Sequence, residues 1–283
     1  MSSNLALKKS KWFSLLKQPL ISVITVVFNG ADTIENTFAS VFSQDFDDFE
    51  YIVVDGGSKD DTVDIIKRNE SNLAYWVSET DKGVYDAMNK AVHLAKGKWI
   101  YFLGADDVLY NILAKMASYL VDETTIYYGD VFRPFAKRRY DGQFSALKLS
   151  FRNICHQSIF YPRYVFEKYS YDLNYPLFSD YELNMRCYAD RDLRFEYVPL
   201  TIAIYNDVGG LSQSKDDASF ITNKMSLIKR YFPYYVFYIV SVRFVLIQTL
   251  VFFKIDKLAM SMHHYYLRVL RRRTDPSFQG NKK

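Results

Sequence analysis

A chain of 283 residues that is 49% hydrophobic and 24% charged can bury a sizeable core, which excludes a disordered polymer. Its two cysteines exclude a disulfide-stapled scaffold and a CxxC metal knuckle, and fit a reducing compartment. The formal net charge is only +4, and the basic excess sits at the two ends (Lys8, Lys9, Lys11 and Lys17; Arg268, Arg271, Arg272, Arg273, Lys282 and Lys283), with no recognition motif that would suit nucleic acid.

The first twenty residues hold no uninterrupted apolar stretch of signal-peptide length, so no secretion is expected. Residues 21–27, ISVITVV, are β-branched and end on the turn signal FNG, which predicts a strand. A helix over 31–43 follows, with Ile34, Phe38, Val41 and Phe42 on one face. EYIVVDGGS repeats the pattern with a strand at 50–54, after which Asp60 or Asp61 caps a second helix. LAYWVS at 73–78 is a third strand. The ETDKG turn then leads to a helix over 84–95, with Val84, Met88, Ala91, Val92 and Ala95 on one side. KWIYFL is the fourth strand, and it runs out into GADD.

Strands that are apolar on both faces and alternate with helices imply an α/β fold with a mostly parallel sheet covered on both sides. Ligands of such sheets bind beyond the carboxyl ends of the strands. Asn29, Asp55, Asp81 and Asp106 each follow a predicted strand, so all four should converge on one rim. Asp106 and Asp107 are adjacent like charges, and a bound cation is the natural compensation. A structural reading competes for Asp107, as the cap of a helix beginning near residue 108.

Beyond residue 125 the alternation loosens. TIYYGDVF reads as a strand, SIFYPRYVFEKY as a strand running into a helix, and SDYELNMRCYADR as a helix opened by Ser179. FEYVPLTIAIYN reads as a late strand pair, and DVGGLS as a loop that Gly209 and Gly210 could hinge. Residues 231–253 are apolar and aromatic over a membrane-spanning length, but Arg243 in mid-stretch costs about 3 kcal/mol on insertion scales. Tyrosines with Lys229, Arg230, Lys254 and Lys257 at the flanks suit an interfacial helix; a helix packed on the domain is nearly as good a reading.

The stretches ISVITVVFN, EYIVVDGGSKDDT, SETDKGVYDAMNKAVHLAKGKWIYFLGADD and FSDYELNMR, in that order, resemble the family-2 glycosyltransferases of GT-A fold. DKGVYDAMNKAV, CHQSIFY and GGLS are similar to the branch that builds bacterial colanic-acid and capsular exopolysaccharides. The resemblance implies a basic arm at 1–19, a GT-A domain at 20–215 (nucleotide-binding over 20–125, acceptor over 126–215) and a helical, membrane-associated segment at 216–283. It implies a Rossmann-like sheet flanked by helices, and a donor nucleotide lined by Thr25, Val27, Asn29, Asp55, Asp81, Lys82, Gly83, Ala105 and Asp106.

The resemblance further implies that Asp106, and with it Asp107, holds Mg²⁺ or Mn²⁺ against the donor diphosphate. Asp180 matches the general base, and His156 and Gln157 the acceptor or diphosphate contacts. Gly104 departs from the family's Asp-x-Asp motif, in which the first position is a carboxylate; Mg²⁺ keeps several waters and needs few protein carboxylates. The implied activity is an inverting transfer from a nucleotide-diphosphate sugar, UDP-linked by default, to a saccharide on a polyprenyl-diphosphate carrier. That places the protein in the cytoplasm, peripheral to the inner membrane. Two rivals are a nucleotidyltransferase, which would want a glycine-rich basic loop where VVFNGADT stands, and an inactive scaffold, which Gly104 keeps open.

Overall fold

The computed structural model describes residues 18–208 and 217–252. The basic arm, the Gly209-Gly210 pair and the basic tail lie outside the described residues. The first half alternates as its sequence predicts: β1 (Ile21–Val27), α1 (Ile34–Phe42), β2 (Phe49–Asp55), α2 (Thr62–Arg68), β3 (Tyr75–Ser78), α3 (Val84–Leu94) and β4 (Trp99–Phe102). These strands pair in parallel in the order β3-β2-β1-β4. Their carboxyl ends therefore share one edge.

The second half departs from a parallel sheet. It contains β5 (Val108–Leu109), α4 (Leu113–Ala117), β6 (Thr125–Arg133), β7 (Arg138–Tyr140), α5 (Ala146–Phe151), β8 (Ile159–Pro162), α6 (Arg163–Lys168), α7 (Ser179–Ala189) and β9 (Arg194–Ile204). β8 pairs antiparallel to β4 and β6, β9 runs parallel to β6, and β5 closes the path antiparallel to β9. The sheet is thus mixed, in the order β3-β2-β1-β4-β8-β6-β9-β5 with β7 beside β6. FEYVPLTIAIYN is one long strand, not a pair; register shifts between Tyr128 and Val131 of its partner bend it without breaking it.

Each face of the sheet carries its own core. Phe38, Val41, Ile65, Leu113 and Met116 of α1, α2 and α4 pack with Trp99 and Tyr101 on one side. Met88, Ala91 and Val92 of α3, with Leu183 and Met185 of α7, pack with Ile52 and Phe102 on the other. Strand residues buried on both faces explain the unbroken apolar runs in the sequence.

Two further helices, α8 (Ala218–Tyr231) and α9 (Tyr234–Phe252), lie on the second face. Val236 and Val240 are buried in that core, and the Arg243 guanidinium stands 4.8 Å over the Phe151 ring. Among the described residues no helix is long and apolar enough to cross a membrane. The packed-helix reading of 231–253 accounts for one side of α9; the other side exposes Tyr234, Tyr235, Tyr238, Phe244, Val245 and Leu246.

Candidate active site

An open cleft of about 720 Å³ lies over the carboxyl ends of β1 and β4. It is walled by the 27–33 loop, the Gly104–Asp106 turn, the start of α3, residues 153–157 and the start of α7. Of the residues singled out from sequence, Val27, Asn29, Ala105, Asp106, His156, Gln157 and Asp180 line it. Thr25, Asp55, Asp81, Lys82 and Gly83 do not. Thr25 is buried within β1 and shares a 2.9 Å hydrogen bond with the Tyr51 hydroxyl.

Asp55 is fully buried and binds its own loop. Its carboxylate accepts from the backbone N–H groups of Gly57 and Ser58 at 3.0 Å each, from Ser78 Oγ at 2.6 Å and from Ser58 Oγ. Ser58 Oγ is also the acceptor for the Asn29 N–H, and Asn29 Oδ1 accepts from the Lys59 N–H, so Asp55 fixes the loop on which Asn29 leans. Asp81 reaches the same rim. A Cβ on Gly56 would fall 2.4 Å from Asp81 Oδ2, so only glycine allows this approach. Asp60, not Asp61, binds the start of α2: its Oδ1 accepts from the Thr62 N–H and hydroxyl, which hold its carboxyl below the usual range.

The two adjacent carboxylates separate by direction. Asp106 points into the cleft, with Oδ2 accepting from Asn206 Nδ2 at 3.1 Å. Asp107 points inward and is 1% exposed; Oδ1 accepts from the Asn206 N–H and Oδ2 from Gln157 Nε2, both at 2.8 Å. Residues 108–109 form a strand and the next helix opens at Leu113, so Asp107 caps no helix. It joins the Gly104 turn to the 156–158 turn and to the end of β9. Burial, with the charge of Asp106 behind it, raises its carboxyl to about 6.

A raised folded-state value has a definite sign. The folded protein holds this proton between about pH 4 and 6 where the unfolded chain has lost it. Asp107 therefore lends stability that is complete below pH 4 and is lost as pH rises through 6. We expect Asp107→Asn to remove that fall: urea midpoints measured from pH 4 to 7 should decline less in the variant than in the wild type. Parallel declines would show that Asp107 does not titrate in this window.

Asp180 opens α7 inside the cleft. The residue before the helix is Phe178, and neither Ser179 nor Asp180 serves as a side-chain cap. Asp180 Oδ1 accepts from the Tyr85 hydroxyl and the Tyr181 N–H, both at 2.8 Å. Oδ2 accepts from Asn153 Nδ2 at 2.7 Å, and His156 Nδ1 lies 3.7 Å away. Asn153 is held in turn, its Oδ1 accepting from Asn184 Nδ2, whose Oδ1 accepts from the Tyr161 hydroxyl. Burial and the Asp180 charge keep the Tyr85 phenol well above its ordinary value, a fixed donor.

Tyr85, Asn153 and Asn206 were not singled out from sequence. Tyr85 is not among the residues that the sequence assigns to the apolar side of α3, and the two asparagines follow no motif; their partners lie 95, 27 and 100 residues away. Arg133 also lines the cleft, with its guanidinium beside Asp207 at 3.3 Å.

The family model for glycosyl transferase family 2 matches residues 22–178, more than half of the chain. The chain belongs to this family. A PGL/p-HBAD biosynthesis glycosyltransferase of Mycobacterium bovis is 40% identical over 212 residues, 72% of this chain and 83% of that protein. A putative teichuronic acid biosynthesis glycosyltransferase, TuaG of Bacillus subtilis, is 39% identical over a shorter span, 32% of this chain and 37% of TuaG. Among solved structures, S. aureus TarS in complex with UDP superposes with a TM-score of 0.60 at 18% identity, over 74% of this chain and 64% of that one. The mannosyltransferase PcManGT of Pyrobaculum calidifontis, in complex with GDP-Man and Mn²⁺, gives 0.57 at 21%, over 69% and 59%. At such identities the superpositions establish the fold, which is GT-A. The family-2 chain is a glycosyltransferase, and the resemblance read from its motifs holds at that level.

Proposed function

We propose that this glycosyltransferase moves a sugar from a nucleotide-diphosphate donor to an acceptor hydroxyl with inversion, in the assembly of a bacterial cell-surface glycan. One observation carries the reading: Asp106 and Asp180 open onto a single cleft at the carboxyl ends of the parallel strands. The first is a carboxylate at the place where a diphosphate would meet a cation; the second is a carboxylate fixed by three hydrogen bonds. Among the described residues the cleft holds no second carboxylate beside Asp180, which supports a single displacement. The mycobacterial and Bacillus relatives, named for glycolipid and teichuronic acid synthesis, support the cell-surface setting.

Asp106, which lines the cleft with Oδ2 held by Asn206, is the carboxylate placed to meet a divalent cation. Asp107 has both oxygens bound to Asn206 and Gln157, and among the described residues no group of three His, Cys, Asp or Glu side chains could hold a metal ion. The residues fit a cation bound chiefly by the donor's phosphates and water, with one protein carboxylate. Such an ion would supply Lewis-acid stabilisation of the charge that develops on the departing diphosphate.

The chain's own part is positional. Asn206 holds Asp106, the Asp55 loop and Asn29 shape the nucleotide end, and Asp180 receives the acceptor proton as the hydroxyl attacks. The exposed side of α9, with Lys229 and Arg230 exposed at its approach, supports a location at the inner face of the membrane. We expect the double variant Tyr238→Glu, Phe244→Glu to stay folded and to lose sedimentation with vesicles containing anionic lipid. Unchanged sedimentation would rule that face out as the contact.

Titration calorimetry tests the whole reading. UDP or GDP is expected to bind in Mg²⁺ or Mn²⁺ and to weaken by about tenfold or more in EDTA, the loss seen when a ligand's metal contact goes. Binding indifferent to EDTA would make the enzyme metal-independent. No binding of either nucleotide would favour an inactive scaffold.

A further inference from the structure

Strands β6 and β7 form a hairpin beside the cleft. Val131 pairs with Tyr140, Phe132 with Arg139 and Arg133 with Arg138, and residues 134–137 make the turn. Val131, Arg133 and Tyr140 line the cleft, so the turn stands at its mouth. The turn and the strand after it read PFAKRR, and no acidic residue occurs from 131 to 140.

Three features set this turn apart from an ordinary solvated loop. Its backbone is fastened: the Phe135 and Ala136 N–H groups donate to the two carboxylate oxygens of Asp207 at 2.9 and 3.0 Å, and the Lys137 N–H to the Pro134 carbonyl at 3.1 Å. Held in this way, the turn leaves Phe135 78% exposed, although a ring of that size gains from burial. Lys137 has a φ of +48°, a left-handed conformation that glycine or asparagine adopts at lower cost.

The charge of the tip is one-sided. Lys137, Arg138 and Arg139 are exposed. The neighbouring acids turn inward: Asp207 serves the turn's backbone, Asp130 accepts from the Gly142 N–H and the Tyr197 hydroxyl, and Asp141 pairs with the Arg152 guanidinium at 2.6 Å. All three of these carboxylates are buried. The tip therefore shows solvent an apolar ring among basic side chains.

We propose that the β6–β7 turn is a lipid-contacting tip, with Phe135 entering an anionic bilayer surface and Lys137, Arg138 and Arg139 set against the lipid phosphates. Charge complementarity selects the partner. A surface that is negative outside and apolar just beneath suits a ring flanked by bases, and a soluble polyanion has no such apolar layer. The contact is separate from the exposed side of α9. It goes beyond the glycosyltransfer reading, and joined to that reading it brings the mouth of the cleft to the headgroup plane, where an acceptor carried on a lipid meets the site without leaving the bilayer.

Sedimentation of the full chain with vesicles of phosphatidylcholine mixed with phosphatidylglycerol tests the charge. One base near an anionic surface strengthens binding about fivefold, so Lys137→Gln, Arg139→Gln should bind about twentyfold more weakly than the wild type. The difference should shrink in high salt. Equal affinity of variant and wild type overturns the proposal, as does a wild type that binds pure phosphatidylcholine equally well. Binding of the wild type to dextran sulfate but not to vesicles would make the tip a polyanion site and overturn the bilayer. If only Tyr238→Glu, Phe244→Glu loses the vesicles, α9 is the contact and the tip is not.

Phe135→Trp tests the ring. With bromine-bearing lipid tails, the fluorescence it adds to that of the native tryptophans should be quenched on vesicle binding. A vesicle-bound variant whose added fluorescence is unquenched places the contact elsewhere and overturns the proposal. Calorimetry with UDP and GDP on the same proteins keeps the two readings apart. Nucleotide binding should be unchanged in the tip variants; a wild type that binds vesicles through the tip and binds no nucleotide would remove the glycosyltransfer reading and leave this contact standing.

Discussion

Asp180→Asn is expected to abolish sugar transfer while donor nucleotide binding stays within about threefold, because only the step that needs a base is removed. A positioned general base contributes about 10² to 10⁴ in rate. The substitution keeps size and shape, but it places an NH₂ against a fixed donor, either Asn153 or the Tyr85 and Tyr181 pair. One opposed donor costs about 1–3 kcal/mol, so a modest drop in thermal midpoint should accompany the loss. Steady-state transfer and nucleotide titration on the same preparation separate the two effects. Turnover near wild type would take the base away from Asp180. Loss of transfer together with nucleotide binding would mean that the start of α7 shapes the donor site instead.

Gly104→Asp is the second large effect, and its direction runs against the motif. Restoring a carboxylate to the first place of Asp-x-Asp suggests a stronger cation site. The structure leaves no space for it: a Cβ on Gly104 would lie 2.4 Å from Asp107 Oδ2 and 3.1 Å from Asp106 Oδ1. Asp107 cannot retreat without losing Gln157 or the Asn206 N–H. Forcing atoms into such a packed site costs about 1–3 kcal/mol, and a third carboxylate beside two adds repulsion. We expect a thermal midpoint several degrees lower and no gain in Mg²⁺-dependent nucleotide affinity. A folded variant of unchanged midpoint that binds nucleotide and metal more tightly would show that Asp107 is free to move. Gly104 and the inward Asp107 are therefore one arrangement, which leaves this turn one outward and one buried carboxylate.

The first half of the fold was legible because its information is local. Apolar runs of strand length, turn residues and helical periodicity recur in order, and β1 to β4 and α1 to α3 appear where that pattern put them. The second half depends on pairings that no local pattern encodes. β9 joins β6 in register with a shift, and the two-residue β5 exists only because β9 is there to pair with it. That is why residues after Asp107 looked like a helix start. At the site, residue types that carry charge were found and their directions were not. Asp55 ends β2 and Asp106 lies in the turn after β4, yet one turns onto its own loop and the other into the cleft. The neutral residues that aim the carboxylates, Tyr85, Asn153 and Asn206, carry no charge pattern to betray them.

The placing of Arg243 gives the C-terminal helix a reach beyond its own length. Its guanidinium rests on Phe151, and two residues further along the chain Asn153 holds Asp180. Val236 and Val240 fasten the same helix into the core that surrounds α7. The helix thus braces the Asp180 carboxylate as much as it presents a surface of its own. A chain cut back before residue 234 would not be a released, otherwise intact enzyme; it would have lost a strut of the wall that aims its carboxylate. The outer side of α9 is thus joined to the wall of the cleft both by the Arg243–Phe151 stack and by Val236 and Val240.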